Sequence, residues 1–131
     1  MERPDARSDA RERALYLLYE AHSKGIEPGA TLDLQVIEPD EMTSGLVRGV
    51  GEQRERLDDL IAARATGWSL ARMPVLDLNI MRLALFELLE RPEVPVAVVI
   101  DEAVELARAL STDDSPAFVN GLLGRLVEPV E

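Results

Sequence analysis

Side chains suited to acid–base, metal or redox chemistry are scarce in this chain. It has a single histidine, His22, and no cysteine. A histidine acting as a general base needs a partner that orients it. His22 sits beside Lys24 on a helical stretch with no such partner nearby, and it reads as a surface residue. The absence of cysteine excludes disulfides and thiolate metal sites, and a reducing cytoplasm is the simplest setting. Asp113-Asp114 lacks the alternating ligand spacing of a calcium loop and reads as a solvated capping loop. Asp58-Asp59 reads as the solvent face of a helix. Gly45, Gly49 and Gly51 lie inside a helical pattern, not between a strand and a helix, so they form no phosphate cradle. No catalytic residue, metal or cofactor is expected.

What remains is the chemistry of recognition. Of 14 basic residues, 13 are arginine, and Arg3, Arg7, Arg11 and Arg13 fall within the first 13 positions. Arginine makes planar, forked hydrogen bonds to phosphate and stacks on bases. Arg7 and Arg11 are four apart and would share a helix face. Such a strip suits RNA, but Glu2, Asp5, Asp9 and Glu12 are interleaved and cancel its charge. A self-neutralised helix start is the plainer reading of the pattern.

A second group lies further on. Trp68 follows Gly67 at a helix junction and reads as a core plug between two subdomains. Arg82 and Glu87 interrupt a strongly apolar helix. One reads as a buried partner of a helix end, the other as a contact on a binding surface. Phe118-Val119-Asn120-Gly121 occupies the first turns of the last helix, where unpaired N–H groups favour anions. Gly121 inside a helix points to close approach by another backbone.

The elements that position these residues are helical throughout. A first helix is predicted over about 9–24, with Ala10, Ala14, Leu15, Leu17, Leu18 and Ala21 inward, after a flexible arm over 1–8. A connector holds a short helix near 31–36. Pro39 suits a first helical position, and a long helix runs to about 66. Its inward residues are Met42, Leu46, Val47, Val50, Leu57, Leu60 and Ile61. Gly45 and Gly49 share one of its faces and permit close helix approach; a bend is the alternative. After Gly67 come a short turn over 70–73, a helix over 75–90 opened by Pro74, and a helix from Pro95 to about 110. The inward residues of that helix are Val98, Val99, Ala103, Leu106 and Ala107. Ser115-Pro116 reads as cap and first position of a last helix ending near 127. Helices joined by short loops imply an all-α, antiparallel helical bundle, divided into subdomains over about 9–66 and 68–127.

The bulk numbers agree. At 131 residues, 47% of them hydrophobic, the chain fits one domain able to bury a core. The first residues carry no apolar run, so no secretory signal is expected, and no stretch is long enough to span a bilayer. The net charge of −11 opposes general nucleic-acid binding, because phosphates are repelled at long range.

Taken in order, several blocks resemble the NusB family of bacterial transcription antitermination factors. They are Ala10-Arg11-Glu12-Arg13-Ala14-Leu15, Gly49-Val50, Leu57-Asp58, Trp68-x-Leu70-x-Arg72, and Asp77-x-x-Ile80-x-Arg82-Leu83-Ala84-x-Phe86-Glu87-Leu88. Ile100 to Ala107 and Ser115-x-x-Phe118-Val119-Asn120-Gly121-x-Leu123 complete the match, which covers nearly the whole chain. The resemblance implies two small helical bundles packed together. It implies a protein without enzymatic activity that binds boxA RNA of nascent ribosomal transcripts. The implied partner is NusE, a small-subunit ribosomal protein, within an RNA polymerase antitermination complex. By the same resemblance, RNA contacts map to Arg3, Arg7, Arg11, Arg13, Asp114, Ser115, Phe118 and Asn120, and the NusE contact to Glu87. Family members occur as monomers and as homodimers. The acids in the arm and the −11 charge depart from the pattern and imply weak RNA binding without the basic partner. Two other readings follow from the same residues. One is the NusB-like module found in ribosomal RNA cytosine methyltransferases, which would need further chain beyond Glu131 and a catalytic cysteine. The other is a protein-only adaptor with a decayed RNA surface.

Overall fold

A computed structural model describes residues 6–128. It contains six α-helices: α1 (Ala6–Lys24), α2 (Pro28–Asp33), α3 (Glu41–Arg64), α4 (Val75–Glu90), α5 (Val96–Leu110) and α6 (Ser115–Leu126). A 3-10 turn, Leu70–Arg72, lies between α3 and α4. No strand occurs among the described residues. The all-helical expectation holds, because the apolar residues recur at helical spacing and the breaks fall at Gly and Pro.

The helix limits follow local chemistry. α1 begins at Ala6, so the last residues of the expected flexible arm are helical. α2 spans Pro28–Asp33, a few residues before its predicted place, because Pro28 rather than Thr31 opens it. Pro39 is not a first helical residue: Asp40 is the N-cap of α3, and its carboxylate accepts the Thr43 N–H at 2.7 Å. This backbone bond, with a further one from the Thr43 side chain, holds the Asp40 pKa below its ordinary value. Ser115 is likewise inside α6 rather than capping it, with Asp114 at the N-cap position.

One hydrophobic core runs through all six helices. The six inward residues expected on α1 are all buried, as are Leu46, Val47, Val50, Leu57 and Ile61 on α3. Leu60 and Val98, also expected inward, are exposed; each lies one position from a buried residue, about 100° away around its helix. α3 is continuous across its glycines, and the expected close approach is present at Gly49. A Cβ on Gly49 would lie 2.1 Å from Cζ of Phe86, so only glycine lets the α4 ring settle against α3. Gly121 is the opposite case. It is exposed, nothing lies within 4 Å of where its Cβ would be, and the expected close approach is absent.

Candidate nucleic-acid interface

The structure separates the sequence-predicted residues into two places. The first is a closed seam where α1 meets α4 and α5. Arg11 lies on the same face of α1 as Leu15 and Leu18, and Glu87 follows Ile80, Leu83 and Ala84 down one face of α4. Both are carried inward with those stripes. Arg11 Nε donates to Glu87 Oε2 at 2.7 Å, and Nη2 to Oε1 at 2.9 Å. The side chains are 4% and 3% exposed. Arg11 Nη1 also donates to Glu102 Oε1 at 3.3 Å, and Ser8 Oγ donates to the same oxygen. Burial pulls the Arg11 pKa down. The hydrogen bond and charge of Glu87, joined by the charge of Glu102, together outweigh it and leave the pKa raised.

Two expectations change here. Arg11, expected on an RNA face, and Glu87, expected on a partner face, bind each other inside the protein. Neither offers a free group to a ligand in this conformation. The physical reason is the forked match of guanidinium and carboxylate, which satisfies both charges without water.

Arg82 has a similar fate. It makes a forked pair with Asp58 at 2.7 and 2.8 Å, linking α4 to α3, and donates to Asn79 Oδ1 at 3.0 Å. Asp58 is therefore half of a helix-to-helix pair, not simply a solvent-facing residue.

The second place is an open surface. Trp68 is not a core plug; it is 53% exposed. Gly67, with φ of 82°, turns the chain after α3 in a way that a residue with a side chain rarely can. Trp68 then stands against Phe118 of α6, with ring centroids 5.7 Å apart and planes tilted by 53°. The pair borders a cavity of about 310 Å³ with Arg72, Asp77, Asp114 and Ser115 in its lining. Ser115, expected to touch RNA, is buried instead. Its hydroxyl donates to Asp77 Oδ2 at 2.9 Å, while Ser111 donates to Oδ1 of the same carboxylate at 2.5 Å. This cluster ties the start of α4 to the junction of α5 and α6. It places the N-terminus of α6 beside the aromatic pair.

Among the remaining residues, Asp114 and Asn120 are exposed, and Phe118 is half-buried. Asn120 lines an adjoining groove with Arg108 and Thr112, and Thr112 also borders the aromatic cavity. Arg7 is exposed. Arg13 donates to the carbonyl of Ile37 at 2.8 Å and so pins the loop before α3. Arg3 lies outside the described residues. Sequence reasoning missed Trp68 and Arg72 as surface groups. The signal was Gly67: a residue placed after a left-handed turn leaves the helix face that would have covered it. Among the described residues no group of His, Asp and Glu could hold a metal, and no helix is long and apolar enough to cross a membrane.

The described residues form a small all-helical fold with a partly exposed aromatic pair between the turn after α3 and the start of α6. The chain belongs to the NusB family, which it matches over residues 8–128. It is 53% identical over 127 residues to the transcription antitermination protein NusB of Saccharopolyspora erythraea, covering 92% of this chain and 86% of that protein. It is 48% identical over 132 residues to the protein of the same name from Streptomyces avermitilis, covering 94% and 92%. In structure it is similar to NusB of T. maritima, with a TM-score of 0.85 and 32% identity over 96% of this chain and 92% of that one. A chain from a crystal structure of antitermination factors NusB and NusE in complex with dsRNA shares the fold. Its TM-score is 0.80 at 23% identity, over 95% of this chain and 97% of that one.

Proposed function

We propose that this chain is a cytoplasmic transcription antitermination factor, not an enzyme. It binds boxA RNA of nascent ribosomal transcripts jointly with the ribosomal protein NusE, within an RNA polymerase antitermination complex. The observation that carries the reading is the half-exposed Trp68 standing with Phe118 in the first turn of α6. Exposed aromatic rings are stacking platforms for unpaired bases, and an exposed tryptophan has no comparable role in a self-sufficient core. Arg72, Asn120 and Arg7 supply donors around it, and Asp114 flanks the helix terminus. Arg11, Ser115 and Glu87 support the scaffold. The relatives named transcription antitermination protein NusB support the same reading.

The −11 charge opposes RNA at long range, whereas a basic partner is drawn in by it. RNA affinity is therefore expected to be weak for the chain alone and to rise when NusE is added. Fluorescence anisotropy with a boxA oligonucleotide at fixed salt, with and without NusE, tests this. Replacing Trp68 with Ala should weaken the ternary complex about tenfold or more, the loss of one stacked base. Wild-type affinity in both W68A and F118A would overturn the aromatic pair as the RNA surface, and no boxA binding by the wild-type protein with NusE would leave a protein-only adaptor. Equal affinity with and without NusE would overturn the partner requirement.

A further inference from the structure

We infer that Glu102 is a positioning residue for RNA binding: through Ser8 and Arg11 it fixes the first turn of α1 and so aims Arg7. The inference rests on the RNA reading above. Its geometric basis is one oxygen with two donors. Glu102 Oε1 accepts from Ser8 Oγ and, at 3.3 Å, from Arg11 Nη1. The two donors are one turn apart on α1, so a single carboxylate of α5 grips that turn from the side.

The charge count asks what Glu102 is for. Glu87 alone neutralises Arg11 and takes its forked pair. Glu102 adds a second carboxylate to a seam that already balances, and an extra negative charge there is a cost to burial. It does so at the rim, where its side chain is 25% exposed while Arg11 and Glu87 are sealed. What the extra carboxylate gains is Ser8. The first turn is the least secured part of any helix, because its N–H groups lack intrahelical acceptors. Arg7 lies in that turn, is exposed, and precedes Ser8 directly.

Placement along α5 connects this latch to the aromatic surface. Glu102 and Ser111 are nine residues apart on and just beyond α5, or roughly 14 Å at the helical rise. Ser111 shares Asp77 with Ser115, the first residue of α6. α5 thus carries both the carboxylate that grips the first turn of α1 and, just beyond its end, a serine that anchors the start of α6.

The test uses full-length protein with NusE and a boxA oligonucleotide, measured by anisotropy across a salt series. Arg7→Ala should weaken binding about two- to fivefold and lower the salt slope by about one. Glu102→Ala and Ser8→Ala should each produce a similar loss. Either one combined with Arg7→Ala should lose no more than Arg7→Ala alone, because all act through the same contact. Glu102→Gln keeps the accepting oxygen and should stay near wild type. Hydrogen exchange of the second-turn amides of α1, whose acceptors are the first-turn carbonyls, reads the latch without RNA, and protection should fall in S8A and E102A. Unchanged exchange, wild-type affinity in E102A, or losses that multiply in the double variants would overturn the inference. A wild-type protein that fails to bind boxA with NusE overturns the RNA reading itself, and the aim of Arg7 with it.

Discussion

The α1–α4–α5 seam and the Trp68–Phe118 surface reverse the ordinary assignment of residue types. At the seam an arginine and a glutamate are sealed from water; at the surface a tryptophan is half exposed. Type alone does not place a side chain. Arg11 stays inside because every face of its charge has a partner, which offsets a desolvation cost of several kcal/mol per ion. Trp68 stays outside because it follows a glycine turn beyond the end of α3, where no helix face is left to cover it. The lesson is that burial follows satisfaction and backbone position, and that polarity is only a prior for both.

The sharpest way to break this contrast is to remove one partner at the seam. Glu87→Ala leaves a buried guanidinium with only its long contact to Glu102. It should cost about 3 kcal/mol, the lower end for a broken buried pair, seen as a lower midpoint in urea unfolding. The double variant Arg11→Met/Glu87→Leu should recover most of that loss, since matched apolar groups need no pairing. If the single and double variants unfold alike, the pair is not what seals the seam.

Glycines compare the two regions on a smaller scale. Gly49→Ala drives a methyl group into the Phe86 ring, and overpacking of this kind costs about 1–3 kcal/mol. Gly121→Ala meets open space on the exposed helix and should raise stability by up to about 1 kcal/mol through helix propensity. Opposite signs in thermal melts are the expected result; a destabilised G121A would mean that its face is covered in the working protein.

The smallest effect is pH-dependent and separates a surface cap from the buried pair. Asp40 caps α3, and its pKa is lowered in the folded state by the Thr43 bond. Its contribution is complete above the ordinary aspartate pKa and is lost as pH falls through the lowered folded value. Asp40→Ala should cost about 1 kcal/mol near neutral pH and progressively less below about pH 4, measured by urea titration at a series of pH values. A constant difference across that range would remove the carboxylate from the account.

Much of the fold was readable along the chain. The six inward residues of α1 follow a 3.6 period closely enough that all six are buried, and Pro74 and Pro95 mark the starts of α4 and α5. The site was less readable. Arg11 and Glu87 sit in register with apolar stripes on their own helices, a signal that they turn inward, but each stripe is silent about its partner. Ser115 looked like a cap from its neighbour Pro116. Only the arrival of Asp77 from α4 makes it a buried donor. Leu60 and Val98 show the limit of the period itself: one residue of rotation separates core from solvent.

The sequence by itself determined that the chain is helical, where the helices break, and which stripe of each is apolar, because these depend on neighbours a few residues away. The tertiary structure alone decided which charges meet and which ring stands free. Arg11 and Glu87 are 76 positions apart, and Trp68 finds Phe118 across two intervening helices. Contacts at that range depend on how helices cross. Crossing is set by the packing of whole faces, at points such as Gly49 against Phe86, and local spacing along the chain does not encode it.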